Sequence, residues 1–242
     1  MRPFAQTSDE VVGSICALAW GALSVQQLTD AAWSYYFFSI QFRQNLLIAR
    51  RLHPDDPRLA ELEAEECHTA NLSPFRGVAA TGERMDHDEF MRRALALAPI
   101  APARRKWLCE AGGAYLHAVA ALDDDTRALS MVSYEGGGLE RVFRSMLTAP
   151  DWDGPVLLAF RHFLEAHIRL DDHHGALVHH LEGEDRAVPL WVLFRELLLK
   201  CVPALSRPHV LPGIAEAKAV APAAALPGAA CAAPQPLELA EA

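Results

Sequence analysis

Residues 163–174 read Phe-Leu-Glu-Ala-His-Ile-Arg-Leu-Asp-Asp-His-His. On an α-helix, at about 100° per residue, His167, Asp171 and His174 are spaced i, i+4, i+7 and fall within an arc of about 60°. Phe160, Phe163, Leu164, Leu170, Leu177, Val178 and Leu181 cluster around the same direction, so the three polar groups face a core. The opposite stripe, Glu165, Asp172 and His179, lies with Arg161 and Arg169 and reads as solvated surface. An ionised Asp171 in that core loses its hydration, so an arginine, the imidazoles themselves or a cation must neutralise it. A single histidine on an apolar face is a satisfied core residue. Three ligand-type groups on one buried stripe point instead to a metal.

Working outward, a second acid sits in an apolar face. Glu135 shares its helical direction with Ala128, Met131, Val132, Leu139, Val142 and Met146. Gly136-Gly137-Gly138 follows it, at a cost of roughly 1 kcal/mol per glycine inside a helix. Either the helix breaks there in a surface turn, or the missing side chains leave room beside the carboxylate for a ligand or a close backbone. A third segment, Glu61-Leu-Glu-Ala-Glu-Glu-Cys-His68, repeats the i, i+4, i+7 geometry through Glu61, Glu65 and His68. Acids occupy every side of this helix, so by itself it reads as a solvated acidic helix. Asp86-His87-Asp88-Glu89 is a rival local cluster of ligand-type residues, but it reads first as a helix start.

The rest of the chain is helical in pattern. Of its 242 residues 51% are hydrophobic and 22% charged, enough for one core, and apolar positions recur at three and four. Helix starts are expected near Asp9, at Thr29/Asp30, after Pro57, near Asp86, after Pro102, near Asp123, after Pro155 and near Asp185, each marked by a capping side chain or a first-turn proline. Residues 71–83, with Pro74, Gly77 and Gly82, read as a loop. From Pro203 the composition turns to alanine and proline, which predicts an all-α domain over 1–202 and a disordered low-complexity tail over 203–242.

The net charge of −9 argues against nucleic-acid and anionic-membrane partners. No apolar run reaches the roughly 20 residues of a membrane span. The stretch from Val11 to Leu23 follows Asp9 and Glu10 rather than a basic start, so no export signal is read. Five scattered cysteines without a C-x-x-C pair fit a reducing cytoplasm.

The spacings E-x6-H (Glu61, His68), Tyr134-Glu135 and H-x3-D-x2-H (His167, Asp171, His174), with 32 residues from Glu135 to His167, resemble the haem-oxygenase-like diiron oxidases and oxygenases over about residues 31–199. The chain differs in its three glycines after Glu135 and in Ser145, where relatives often carry a lysine. The resemblance implies a seven-helix haem-oxygenase-like bundle holding two Fe(II) ions, with Glu61, His68, Glu135, His167, Asp171 and His174 as ligands and Glu65 in reserve. Such a carboxylate–imidazole mixture suits iron or manganese. Two ferrous ions and three carboxylates leave a formal charge of about +1, which welcomes a carboxylate substrate. The implied activity uses O2 as co-substrate for desaturation, oxidative C–C cleavage or N-oxygenation of a small amino acid or related carboxylate in natural-product biosynthesis. Electrons beyond those of the two irons come from the substrate or an external donor. A homodimer is compatible with this reading. Two alternatives stand beside it: a metal-free enzyme of the thiaminase or quinone-synthesis type on the same fold, and a non-catalytic helical binding protein. Arg43, Arg141 and Arg144 are candidate carboxylate clamps, none assigned.

Overall fold

The computed structural model describes residues 6–178 and 186–206, with side chains for 6–169 and 186–206. All described regular structure is helical: α1 (Ser8–Cys16), α2 (Val25–Leu52), α3 (Pro57–Glu66), α4 (His87–Leu95), α5 (Pro102–Ala120), α6 (Asp124–Ser133), α7 (Leu139–Met146), α8 (Pro155–Val178) and α9 (Val188–Cys201). Two isolated bridges, Thr69 to Met85 and Phe75 to Ala79, are the only extended pairings among the described residues. No described helix is long and apolar enough to cross a membrane.

Most helix starts fall where their caps place them. The Asp56 side chain accepts from the backbone N–H of Arg58 at 2.9 Å with Pro57 in the first turn, and Asp123 accepts from that of Thr126 at 2.8 Å. One start is earlier than expected. Helix α2 begins at Val25, not Thr29, because Ser24 and Gln27 form a reciprocal capping box that satisfies two backbone N–H groups. Thr7 and Glu10 do the same for α1. The start expected near Asp185 lies outside the described residues.

Helix α2 is the central rod, packed against α3, α4, α5, α6, α8 and α9. At 28 residues it is about 42 Å long at 1.5 Å per residue, and it is buried on most sides, as a helix surrounded by others must be. The packed chain continues past the expected boundary at residue 202. Pro203–Ser206 form a 3-10 turn, where Leu205 is 1% exposed and its carbonyl accepts from the Ala19 N–H at 3.1 Å. The remainder of the expected tail, 207–242, lies outside the described residues.

The triple glycine is a bend in one rod. Tyr134–Gly138 form a π turn joining α6 to α7, and Gly137 has φ +90°, a backbone conformation that disfavours side chains. A Cβ on Gly138 would lie 2.2 Å from the Ser133 carbonyl oxygen and 2.9 Å from Trp191 Cζ2. Trp191 of α9 also donates to the Ser133 hydroxyl at 2.8 Å. Close backbone and indole approach, one of the two readings of the glycines, is what the structure shows at Gly138. We expect Gly138→Ala to destabilise the protein by about 1–3 kcal/mol, lowering the thermal midpoint by roughly 2–4 °C per kcal/mol. Circular-dichroism melts check this, and an unchanged midpoint would show that the turn relaxes freely.

Candidate metal centre

Three rods and one loop converge beside α2. On α3 the buried residues are Leu59, Leu62 and Glu66, a stripe at helical spacing that ends in an acid. Glu66 is 5% exposed and places Oε2 2.6 Å from Nδ1 of His87, itself 5% exposed. Nε2 of His167, on α8, lies 3.0 Å from the same Nδ1. These three residues offer ligand atoms that all lie within 4.8 Å of one another.

His87 faces inward because its neighbours are held elsewhere. The Arg43 guanidinium forks onto Asp88, at 2.9 Å to Oδ1 and 2.8 Å to Oδ2, fixing the first turn of α4 to α2. Asp86 accepts from the His68 backbone N–H at 2.8 Å, and Glu89 pairs with Arg92 and Arg93. The 67–86 loop supplies the outward partner. Asn71 donates through Nδ2 to the Glu65 carbonyl at 2.8 Å, which leaves its Oδ1 as an acceptor 2.9 Å from His87 Nε2.

The tautomers follow from these partners. His87 must carry its proton on Nε2 to donate to Asn71 Oδ1. His167 must carry its proton on Nδ1 to donate to the Phe163 carbonyl, 2.8 Å away. With one proton on each ring, the inward atoms are Nδ1 of His87, Nε2 of His167 and Oε2 of Glu66, all of them acceptors. Three lone pairs at such spacing repel unless a proton or a cation sits among them. Histidines that bind metals orient themselves in this way, donating the outer N–H to a carbonyl or carboxylate. Ligands on cis positions of an ion with bonds of about 2.1 Å lie about 3 Å apart, which matches the His87–His167 separation.

Glu135, in the π turn and 4% exposed, lines the same cavity as Glu66, His87 and His167. Tyr35, Ser39 and Phe42 of α2, with Leu139 and Phe163, complete much of the wall. The open space is about 20 Å³, room for one water-sized guest. Phe163 stacks on His167 with ring centroids 4.0 Å apart, and Phe143 meets the same imidazole edge-on at 5.8 Å.

Of the six expected ligands, Glu135 and His167 meet at this cavity. Glu61 and His68 are exposed, and neither joins the cluster. The helix ends at Glu66, Cys67 is extended, and His68 takes a left-handed backbone with φ +47°, so the i+7 relation to Glu61 does not exist. Glu65 is half-buried, and its carbonyl serves Asn71. In their place stand Glu66 and His87. The side chains of Asp171 and His174, and of Asp172 and His179 on the rival stripe, lie outside the described residues. Glu165 of that stripe pairs with Arg161 at the surface, at 2.7 Å. The candidate clamps are already engaged: Arg43 by Asp88, Arg141 by Asp9 and Arg144 by Glu140. Cys67, beside Glu66, has its thiol pushed up to about 12 by burial and then by the charges of Asp86 and Glu66.

No protein-family model, no curated protein and no solved structure matches this chain.

Proposed function

We propose that the protein is a non-haem iron enzyme of the diiron kind, an O2-dependent oxidase or oxygenase acting on a small amino acid or related carboxylate. The observation that carries the reading is the meeting of Glu66, His87 and His167 lone pairs while both outer ring N–H groups are taken up by oxygen acceptors. Two imidazoles and a carboxylate with open positions suit ferrous iron and its oxygen chemistry. Glu135 adds a second carboxylate to the same cavity. Asp171 and His174, four and seven residues beyond His167, are the further ligands implied by the resemblance. A haem-oxygenase-like arrangement of the helices belongs to the same proposal.

Bound ferrous iron would supply open coordination positions for O2 and two electrons, the remainder coming from the substrate or an external donor. The chain's own residues do the positioning. Asn71 and the Phe163 carbonyl fix the two imidazole planes. The Arg43–Asp88 fork keeps His87 turned inward. Phe163, Phe143 and Phe42 close the site against bulk water, strengthening every charge interaction within it.

Anaerobic loading with Fe(II), followed by oxygen-electrode assays over a panel of amino acids and fatty acids with ascorbate present, tests this. We expect oxygen uptake accelerated by one substrate class in the loaded protein and absent from the metal-free one. Stoichiometric iron with no substrate-dependent uptake across the panel overturns the oxidase reading.

A further inference from the structure

Tyr35 of α2 is 3% exposed. Its ring packs among Phe38, Phe143, Phe160 and Phe163, at centroid distances of 5.6, 5.4, 5.6 and 5.3 Å. Buried tyrosine hydroxyls are normally hydrogen-bonded, and two of the chain's four tyrosines show a side-chain partner. Tyr115 donates to Gln41 Oε1 at 2.9 Å and Tyr134 reaches the same oxygen at 3.4 Å. Neither Tyr36 nor Tyr35 shows such a bond among the described residues, and what sets Tyr35 apart is its position. Its side chain lines the cavity bounded by Glu66, His87, Glu135 and His167.

A phenylalanine would fill the same aromatic cage without burying a polar group, so packing does not account for the hydroxyl. We propose that Tyr35 is the cavity's hydrogen-bond donor, presenting its Oη–H to the oxygen or anionic guest that sits among Glu66, His87 and His167. The inference rests on the metal-centre reading and deepens it. Glu66, His87 and His167 hold the ion through lone pairs, while the phenol adds a donor for whatever occupies the position left open.

Tyr35→Phe tests it, with azide as the probe. Wild-type and variant proteins are loaded with iron, oxidised to the ferric state and titrated with azide, following the visible absorption. Iron content is read by mass spectrometry and thermal stability is measured on the metal-free proteins. We expect equal iron content, an equal or higher metal-free thermal midpoint in the variant, and azide binding weakened about tenfold or more by loss of a hydrogen bond to an anion. Equal azide affinity at equal iron content overturns the inference alone. So does a wild-type ferric protein that binds no azide, since the donor then has no guest. A tyrosinate-to-iron absorption band that vanishes in the variant overturns it by making Tyr35 a ligand. A less stable metal-free variant overturns it by showing that the hydroxyl has a protein acceptor. A wild-type protein that takes up no iron overturns the metal-centre reading and this inference together.

Discussion

His87→Ala and Glu66→Gln should each weaken metal binding by about a hundredfold or more, while Glu61→Gln and His68→Ala leave it unchanged. The scale follows from structural zinc sites, where four ligands share about 10–16 kcal/mol, or roughly 3 kcal/mol each. Glutamine keeps the volume of Glu66 and removes its charge, so Glu66→Gln tests ligation rather than packing. His87→Ala removes the atom on which Glu66 Oε2 and His167 Nε2 both converge. Glu61 and His68 are exposed and stand outside the cluster found among the described residues, so changing them removes none of its ligand atoms. Competition titrations with a chromogenic chelator, in Mn(II) or anaerobic Fe(II), give the affinities. The opposite pattern, with His68→Ala losing metal and His87→Ala retaining it, would place the centre on the E-x6-H spacing instead.

The contrast between those pairs shows what the sequence could and could not reveal. Where a helix runs on unbroken, its face could be read. His167 lies on the same side of α8 as Phe163, Leu164 and Phe160, which are buried, and Glu135 sits within the apolar face of its rod. The α3 segment misleads because acids surround it and the i, i+4, i+7 count assumes a helix that reaches residue 68. It ends at Glu66. A shorter stripe, Leu59–Leu62–Glu66, already pointed to the correct acid, since the spacings of three and four are those of one buried face. His87 had no such stripe, only its place in a local run of ligand-type residues that reads first as a helix start. It lies 21 residues beyond Glu66 in a run of acids, and only the 67–86 loop returns it to α3. That return depends on contacts no local pattern encodes: Asp86 binding the His68 N–H, Asn71 bridging the Glu65 carbonyl and His87, and His162 of α8 within 3.0 Å of the Leu72 carbonyl. The early start of α2 was legible in Ser24-x-x-Gln27, a capping box that the stronger-looking Thr29-Asp30 pair obscured.

Metal binding should also raise the stability of the whole domain, and α3 should report it most directly. Helix α3 has ten residues and buries only Leu59 and Leu62 beside Glu66, so it rests on little apolar area and its docking depends on the charge at its end. Without a cation, Glu66 is held to α4 by its contact with His87. With one, α3, α4 and α8 share a common centre, and the unfolded chain, with those groups 21 and 80 residues apart in sequence, has no equivalent. A ligand present at a hundred times its Kd and binding only the folded state stabilises it by about 2.7 kcal/mol. At roughly 2–4 °C per kcal/mol for a domain of this size, the thermal midpoint should rise by about 5–10 °C in saturating Mn(II) and fall back on adding a chelator. Amide exchange in α3 should slow with the metal bound, more than in α5, which contributes no residue to the cavity or the cluster. Glu66→Gln should lose both responses. A wild-type protein that binds the ion yet melts at the same temperature would mean that the unfolded chain holds it equally well, and a preformed centre between α3, α4 and α8 could not be maintained.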